Sequence, residues 1–486
     1  MPEYLSPGVY VEEIPSAVKP IAGVSTSTAC FLGIVPDKIT IPEENPDYDP
    51  TGKSKPEAGK ADPTKPFIGK EFKFFSADDI KAKVTATKTA KAALDTNNDP
   101  TRRRKLLDDL AKAEDEEAAA KLTAQNIEPV LCTSFSEFKK RFGGFSTDGL
   151  GVFSKDVNTF NGGDKGLQNR LAHAVFGFFD NGGTRCYVMR FRTGAEMLEA
   201  DHLDVLEPIE EISIVAAPGI TDKSVQKILV DHCTKLKSRF AILDPPELPE
   251  AADLTADTIQ LVGNSDYAAL YFPRIRVFDI AADLTNPDPG HEVNGGKIWI
   301  GPSGHMAGIY SQVDHERGVH KAPANVVMRD ALDVEFEISK NRQDGLNPEG
   351  INCIRRMNKN ITVWGARTIG GDANTDLKYI NVRRTLIFLR ESIDRGTQWV
   401  VFEPNDRTLW AKIRLNVTAF LTTVWRDGAL FGSTPQEAFY VKCDDETNPR
   451  EERDLGRVTC EIGVAIVRPA EFVIFRISQW AGPEQK

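Results

Sequence analysis

Seven cysteines are scattered along 486 residues, and no two of them stand in a CxxC pair. They read as reduced, mostly structural thiols of a protein made in the cytosol. A basic surplus is missing as well. Sixty Lys and Arg face 71 Asp and Glu, for a net charge of −11 and an isoelectric point near 5.4. A nucleic-acid binder usually carries a basic patch or domain, so this balance argues against that class. No apolar run is long enough to cross a bilayer. The opening Met1-Pro-Glu-Tyr-Leu-Ser-Pro-Gly8 has neither the basic start nor the apolar core of a signal peptide. Nucleotide signatures are also lacking. Gly162-Gly-Asp-Lys-Gly166 does not follow the GxGxxG order, and no Gly-Lys-Ser/Thr follows Gly301-Pro-Ser-Gly-His305. What is present is bulk: 41% hydrophobic residues can bury sizeable cores, and the length implies more than one domain.

Histidine is sparse but clustered. Four of seven (His291, His305, His315, His320) lie within about thirty residues, with Asp314 and Glu316 among them. Such a set suits a metal site or a general base, and a metal-dependent hydrolase using it is the competing functional reading. The spacing is not HExxH, because Glu316 directly follows His315. A structural place in turns and strand ends is favoured. Gly301-Pro302 and Ser303-Gly304 are turn dipeptides. Ala322-Pro-Ala-Asn325 is expected extended, and Asn347-Pro-Glu-Gly350 a turn. Ile361 to Trp364 is a strand, ended by Gly365.

Along the chain, Gly8 to Ile14 is a short strand pattern among prolines, without a local partner, and it must pair elsewhere. Val24 to Val35 is a buried strand. Residues 36–129 are rich in Lys, Ala, Asp and Pro and read as a surface insertion, with a solvated helix over Thr101 to Gln125. Ser134 to Phe142 reads as a helix, and so does Leu167 to Phe178. Strands Ile212 to Pro218 and Phe240 to Leu243 flank a helix over Val225 to Leu236, which implies a parallel α/β unit. Asp244-Pro-Pro follows one strand, at an end where such sheets often bind ligands, but no companion polar groups are evident there. Ala268 to Pro273 is another buried strand. Helices over Leu377 to Ile393 and Leu409 to Val424 follow, the second with Asn405 or Asp406 as its N-cap. Arg383, Arg384 and Arg390 fall off the apolar stripe of the first and are expected to be exposed. Strands over Tyr440 to Cys443, Val458 to Val467 and Pro469 to Ser478 close the chain.

Pro302-Ser-Gly-His-Met-Ala-Gly308, Arg317-Gly-Val-His-Lys-Ala-Pro-Ala-Asn325, Leu346-Asn-Pro-Glu-Gly-Ile-Asn352 and Val363-Trp-Gly-Ala-Arg-Thr368 occur in that order. Together they resemble the signature blocks of contractile tail sheath proteins, which sheathe contractile phage tails and phage-tail-like injection systems. Tyr4 to Glu13, Ala268 to Pro273, Tyr379 to Arg384, Phe402 to Asn405, Glu437 to Phe439 and Pro469 to Ile474 resemble further parts of that family. The likeness covers residues 1–35 and most of 265–478.

The resemblance implies an α/β (mixed α+β), multi-domain fold. It divides the chain into an N-terminal strand-exchange arm (1–23), a middle or outer α/β domain (24–350) carrying the 36–129 insertion, an inner, tube-facing α/β domain (351–468) and a C-terminal arm (469–486). The arm residues would be Val9, Tyr10, Val11 and Glu12 at one end and Phe472, Val473, Ile474 and Phe475 at the other. Tyr440 and Val441, with Ile462, Val464 and Ile466, would be the strands that receive a neighbour's arm. Pro15, Pro20 and Pro469 would serve as hinges. Arg383, Arg384 and Arg390 would touch acidic residues of the tube, a solvated helix face being the plainer account. The implied assembly is a homo-oligomer of hexameric rings stacked in a helical sheath. Its further partners are an inner tube protein and baseplate and terminal cap proteins. The resemblance implies no catalytic, metal or cofactor residue, no nucleic acid and no membrane insertion. It places synthesis and assembly in the bacterial cytoplasm and the mature protein in a virion or phage-tail-like particle.

Overall fold

Ala29-Cys-Phe-Leu, Phe240 to Leu243 and Ala268 to Phe272 are continuous apolar runs, and all of these residues are buried. Strands without alternation belong to parallel sheets covered on both faces. The computed structural model builds that sheet. It describes residues 20–35, 38–49, 51, 53–56, 60–65, 67–73, 77–96, 99–124, 128–146, 166–192, 200–248, 254–280 and 297–476. The strands are β1 (Ala29–Val35), β2 (Lys38–Glu44), β3 (Phe67–Lys73), β4 (Val130–Cys132), β5 (Cys186–Arg192), β6 (Ile214–Ala216), β7 (Phe240–Leu243) and β8 (Ala268–Phe272). They continue with β9 (Ile275–Phe278), β10 (Lys297–Ile300), β11 (Val326–Val327), β12 (Asp333–Val334), β13 (Ile351–Met357), β14 (Asn360–Val363), β15 (Phe439–Lys442) and β16 (Glu461–Val464).

Nine strands form one sheet in the order β11-β14-β13-β8-β7-β6-β1-β5-β4. From β5 across to β13 the neighbours run parallel, and antiparallel strands finish both edges. The described residues fall into two compact units: 20–24 with 388–467, and 25–387 with 468–476. The domain boundary expected at 350/351 therefore moves to 387/388. The reason is register: β13 pairs in parallel with β8, Ile351 opposite Leu270, so this stretch belongs to the large sheet.

Helix Leu167–Asp180 lies against β1, where Gly33 leaves room for the Leu171 side chain. It also packs on helix Ser303–Arg317. The second helix corrects the reading of Ser303-Gly304 as a turn. Pro302 stands at its N-cap position and offers no side-chain cap. The cap comes instead from Asp244, which accepts from the Ser303 backbone N–H and from the Ser303 hydroxyl, each at 2.8 Å. Free N–H groups at a helix start need such a partner, and here it stands 59 residues away in sequence. Ser303, Gly304, His305, Met306, Ala307, Gly308, Ile309, Tyr310 and Ser311 are all buried, so the helix has no polar face there for a pattern to show.

The insertion is built. β2 and β3 form a hairpin, and helices Ala77–Asp95 and Pro100–Ala124 pack on each other, with Lys83 bonded to Glu116 at 2.6 Å. Only the second helix was legible as a pattern. The first carries Lys at 81, 83, 88 and 91 and has no clear apolar stripe.

In the smaller unit, helix Arg407–Arg426 is capped by Asp406, which accepts from Leu409 N at 2.8 Å. It buries Leu409, Trp410, Ile413, Val417, Phe420, Leu421 and Val424. β15 and β16 make a separate two-stranded sheet, Tyr440 opposite Gly463 and Val441 opposite Ile462. All seven cysteines are free, and only Cys460 is not fully buried.

Candidate functional site

Pro469-Ala-Glu-Phe-Val-Ile-Phe475 places one acid directly before four apolar residues. In the larger unit this acid, Glu471, is fully engaged. Its Oε1 accepts from Asn347 Nδ2 at 2.7 Å and from Arg367 Nε at 2.8 Å. Its Oε2 accepts from Arg367 Nη2 and from Tyr379 Oη, both at 2.8 Å. The arginine pair is bidentate, the geometry that makes such contacts strong and directional. Burial works against the Glu471 carboxylate, yet the bonds from Arg367, Asn347 and Tyr379 hold it below the ordinary glutamate range.

Arg367 is itself immobilised. Its side chain is 3% exposed, and Nη1 donates to Asn347 O and to Asp372 Oδ1, each at 3.1 Å. Asn352 of β13 grips its backbone from both sides, accepting from Arg367 N and donating to Arg367 O at 2.7 Å each. Arg367 also forms an antiparallel bridge with Tyr379. The root of the C-terminal segment is thus tied to the nine-stranded sheet. The sequence showed Asn347, Arg367, Tyr379 and Glu471 as letters of four separate blocks, but not that they meet. The available signal was a lone acid heading an apolar run, which the strand reading did not use.

Beyond Glu471 the chain changes character. Phe472, Val473, Ile474 and Phe475 are 70%, 69%, 77% and 83% exposed. The expected third strand over Pro469 to Ser478 is unpaired through residue 476, with no sheet partner among the described residues. Residues 477 and 478 lie outside the described residues, as do Val9, Tyr10, Val11 and Glu12 of the N-terminal arm. In the smaller unit, Tyr440 is 59% exposed, and Val441, Ile462, Val464 and Ile466 are half-buried. Among the described residues the β15–β16 sheet has two strands, and just past β16 Ile466 forms an antiparallel bridge with Leu430.

The expected exposure of Arg383 and Arg384 is overturned. The Arg384 side chain is 4% exposed and pairs with Asp314, while its guanidinium carbon lies 4.6 Å from the Tyr310 ring centre. Arg383 pairs with Asp266 and lies 4.4 Å over the Tyr267 ring. The apolar stripe is one face of helix Ile380–Thr397, but helix Ser303–Arg317 and the Asp266–Tyr267 segment also meet the flank that carries these arginines. Arg390 is exposed.

Among the described residues the histidine cluster is not assembled. His305 is fully buried, with neither ring nitrogen bonded among the described residues. Burial, reinforced by His173, drives its pKa down to about 3, so it stays neutral. Its ring fills the space left by Gly177. His315 is exposed, His320 is half-buried, and His291 lies outside the described residues. No group of three His, Cys, Asp or Glu that could hold a metal occurs among the described residues. The described histidines of the hydrolase reading are thus not brought together.

Asp244 has the polar companions its sequence context did not show. Besides Ser303, it accepts from Gly219 N at 2.8 Å. A shallow cleft beside it, about 380 Å³ in empty volume, is lined by Arg170, Glu247 and Arg274 among others. Glu247 pairs with Arg274 at 2.8 Å, and Arg274 pairs with Glu335. These charges satisfy one another and the start of helix Ser303–Arg317.

The phage tail sheath central-domain model matches residues 195–369, and the phage tail sheath C-terminal-domain model matches residues 372–479. The tail sheath protein of Burkholderia phage BcepMu is 26% identical over 224 residues. The match spans 44% of this chain and 43% of that protein, less than half of either. Among solved structures, the sheath complex of the PVC extracellular contractile injection system in its contracted state superposes with a TM-score of 0.62 at 22% identity, covering 99% of each chain. The contracted helical sheath of the anti-feeding prophage gives 0.60 at 22% identity, covering 98% of this chain and 100% of that one. These likenesses show a shared mixed α/β fold across nearly the whole chain. By its two domain matches, in order and covering 195–369 and 372–479, the chain belongs to the phage tail sheath family.

Proposed function

We propose that this chain is a structural sheath subunit of a contractile tail or injection system, and that it polymerises by lending its C-terminal strand to another copy. The observation that carries the reading is the exposed run Phe472 to Phe475, which begins one residue after a fully bonded anchor. Four large exposed apolar side chains in a row, on a segment without a sheet partner among the described residues, are a liability in a monomer and an asset in a polymer. The two-stranded β15–β16 sheet has no further strand among the described residues and would accept one, and strand addition supplies main-chain hydrogen bonds with side chains left to set specificity. Val9 to Glu12 would act in the same way at the other end.

The assembly would be stacked six-fold rings around an inner tube, with baseplate and cap proteins at the ends. Contraction would drive the tube through a target envelope while the strand links persist. The energy would be stored at assembly, so the chain needs no nucleotide and acts as a structural protein rather than an enzyme. Arg390 remains the candidate contact with an acidic tube surface. Assembly would take place in the bacterial cytoplasm, before the particle is used or released.

Negative-stain electron microscopy of the chain, alone and with an inner-tube protein, tests this. Striated hollow tubes are expected from the full chain and none from a version ending at Glu471. Tubes from the shortened chain would remove the C-terminal strand from the mechanism. Dispersed particles under every condition would remove the sheath function itself.

A further inference from the structure

After Val467, whose N–H donates to Ala429 O at 3.2 Å, the chain makes one strong attachment before the exposed run, at Glu471. Arg468 offers only an exposed ion pair with Asp376 at 3.8 Å, and Ala470 is exposed. Glu471 makes four hydrogen bonds to three side chains, drawn from the turn at Asn347, the bridge residue Arg367 and the start of helix Ile380–Thr397 at Tyr379. Apolar contact does not hold the next four residues, since each is at least 69% exposed. A single carboxylate thus separates a fastened segment from an unfastened one.

We propose that Glu471 is a positioning residue that fixes where the C-terminal arm leaves its own subunit. The arm then turns toward a second copy of this chain at the peptide links after Glu471, not at Pro469. The bond set is directional, because a bidentate arginine defines the plane and reach of the carboxylate. The receptor is preorganised, because Arg367 is held by Asn347, Asp372 and Asn352 independently of Glu471. The fastening also lowers the cost of association. An arm with one fixed end samples fewer orientations than a free tail, and pre-ordering of this kind raises affinity without any new contact. In a polymer, tension along the arm would meet the sheet-anchored Arg367 first, so the link to the neighbour would move with the larger unit.

This inference rests on the strand-lending reading, and the experiment separates the two. Three variants are compared with the full chain: Glu471→Gln, Tyr379→Phe, and the arm variant Phe472→Ser with Ile474→Ser. Tyr379→Phe deletes one bond without leaving a buried charge, so it remains informative should Glu471→Gln perturb folding. The critical concentration for tube formation is measured by sedimentation. The thermal midpoint of the unassembled chain is measured by circular dichroism. Arm mobility is read from the fluorescence anisotropy of a dye on Ile474→Cys in a Cys460→Ser background.

The arm variant is expected to abolish assembly. Glu471→Gln should raise the critical concentration about tenfold, the size expected for lost charge-assisted bonds. It should also lower the dye anisotropy, with the midpoint changed little. Tyr379→Phe should move both readouts the same way, by less. If Glu471→Gln and Tyr379→Phe assemble and hold the dye like the parent while the arm variant fails, the anchor is overturned and strand lending stands. If the arm variant assembles normally, strand lending falls, and the anchor's role falls with it. A fall in midpoint with unchanged anisotropy and assembly would make Glu471 a stability residue and overturn the proposal.

Discussion

Arg384 and Asp314 face each other in the interior of the larger unit, Nη1 to Oδ1 at 2.9 Å and Nη2 to Oδ2 at 2.6 Å. Their side chains are 4% and 5% exposed. Thr26 completes the group: its carbonyl accepts from Arg384 Nη2 at 2.8 Å and its hydroxyl donates to Asp314 Oδ2 at 2.6 Å. This links the segment before β1 to helices Ser303–Arg317 and Ile380–Thr397. Removing one partner of such a pair leaves an uncompensated buried charge. Asp314→Ala should therefore cost about 3–5 kcal/mol in urea unfolding of the unassembled chain. A loss below about 1 kcal/mol would mean that solvent reaches the pair.

Arg390 offers the opposite case. It is exposed, and surface changes of this kind shift stability by about 0.5 kcal/mol or less. Arg390→Glu should leave unfolding unchanged and weaken co-assembly with an inner tube whose outer face is acidic. Sheathed tubes forming at the parent concentration would exclude Arg390 from the tube contact. Reversing Arg384 instead would confuse unfolding with lost contact.

His305 makes the fold acid-sensitive. Burial, then His173, holds its pKa near about 3 in the native state, against about 6.5 when unfolded. The unfolded chain therefore binds the extra proton first. Stability is complete above about pH 6.5 and falls as pH drops from there toward about 3. At pH 5 the loss from this residue is about 2 kcal/mol. His232, lowered to about 4 by burial and by Arg239, adds to the same trend. His305→Leu should flatten the pH dependence of the urea midpoint between pH 7 and pH 5. An unchanged slope would mean that His305 accepts its proton in the native state.

Gly304 and Gly345 give a paired test of helix packing. A Cβ on Gly304 would overlap the Ala174 backbone, where helices Ser303–Arg317 and Leu167–Asp180 meet. Backbone cannot step aside as a side chain can, so Gly304→Ala should cost about 1–3 kcal/mol. A Cβ on Gly345 meets nothing within 4 Å. In that exposed helix, Gly345→Ala should stabilise by about 0.5–1 kcal/mol. Thermal denaturation of both variants checks the contrast, and equal effects would refute it.

Local pattern made several elements legible. The Phe135, Phe138 and Phe142 face sits on helix Phe135–Phe142 with Ser134 as its N-cap. The strand–helix–strand unit over Ile214 to Leu243 pairs in parallel. Helix Arg407–Arg426 begins at Asp406 as its N-cap. In each case the signal lies within a few residues of the structure it specifies: apolar spacing, a capping side chain, or a glycine stop. Helix Ser303–Arg317 escaped because its cap is Asp244 and its first nine residues are buried without a polar face. The hairpin of β2 and β3 escaped because Pro42 and charged residues interrupt the apolar pattern of its strands.

By itself the sequence determined the class of the protein. A strand–helix–strand unit implied a parallel sheet, ordered motif blocks pointed to the sheath family, and a histidine cluster without HExxH spacing left a hydrolase as the competing reading only. Tertiary structure alone decided where the charges went. Arg384 was assigned to the surface from its helix face and lies inside, on Asp314. Glu471 was one letter of a strand motif and proves to be the point where the arm is fastened, to Arg367. The physical reason is the same for both. A charge leaves water only when a partner of opposite sign awaits it, and these partners stand 70 and 104 residues away, beyond the reach of any local pattern.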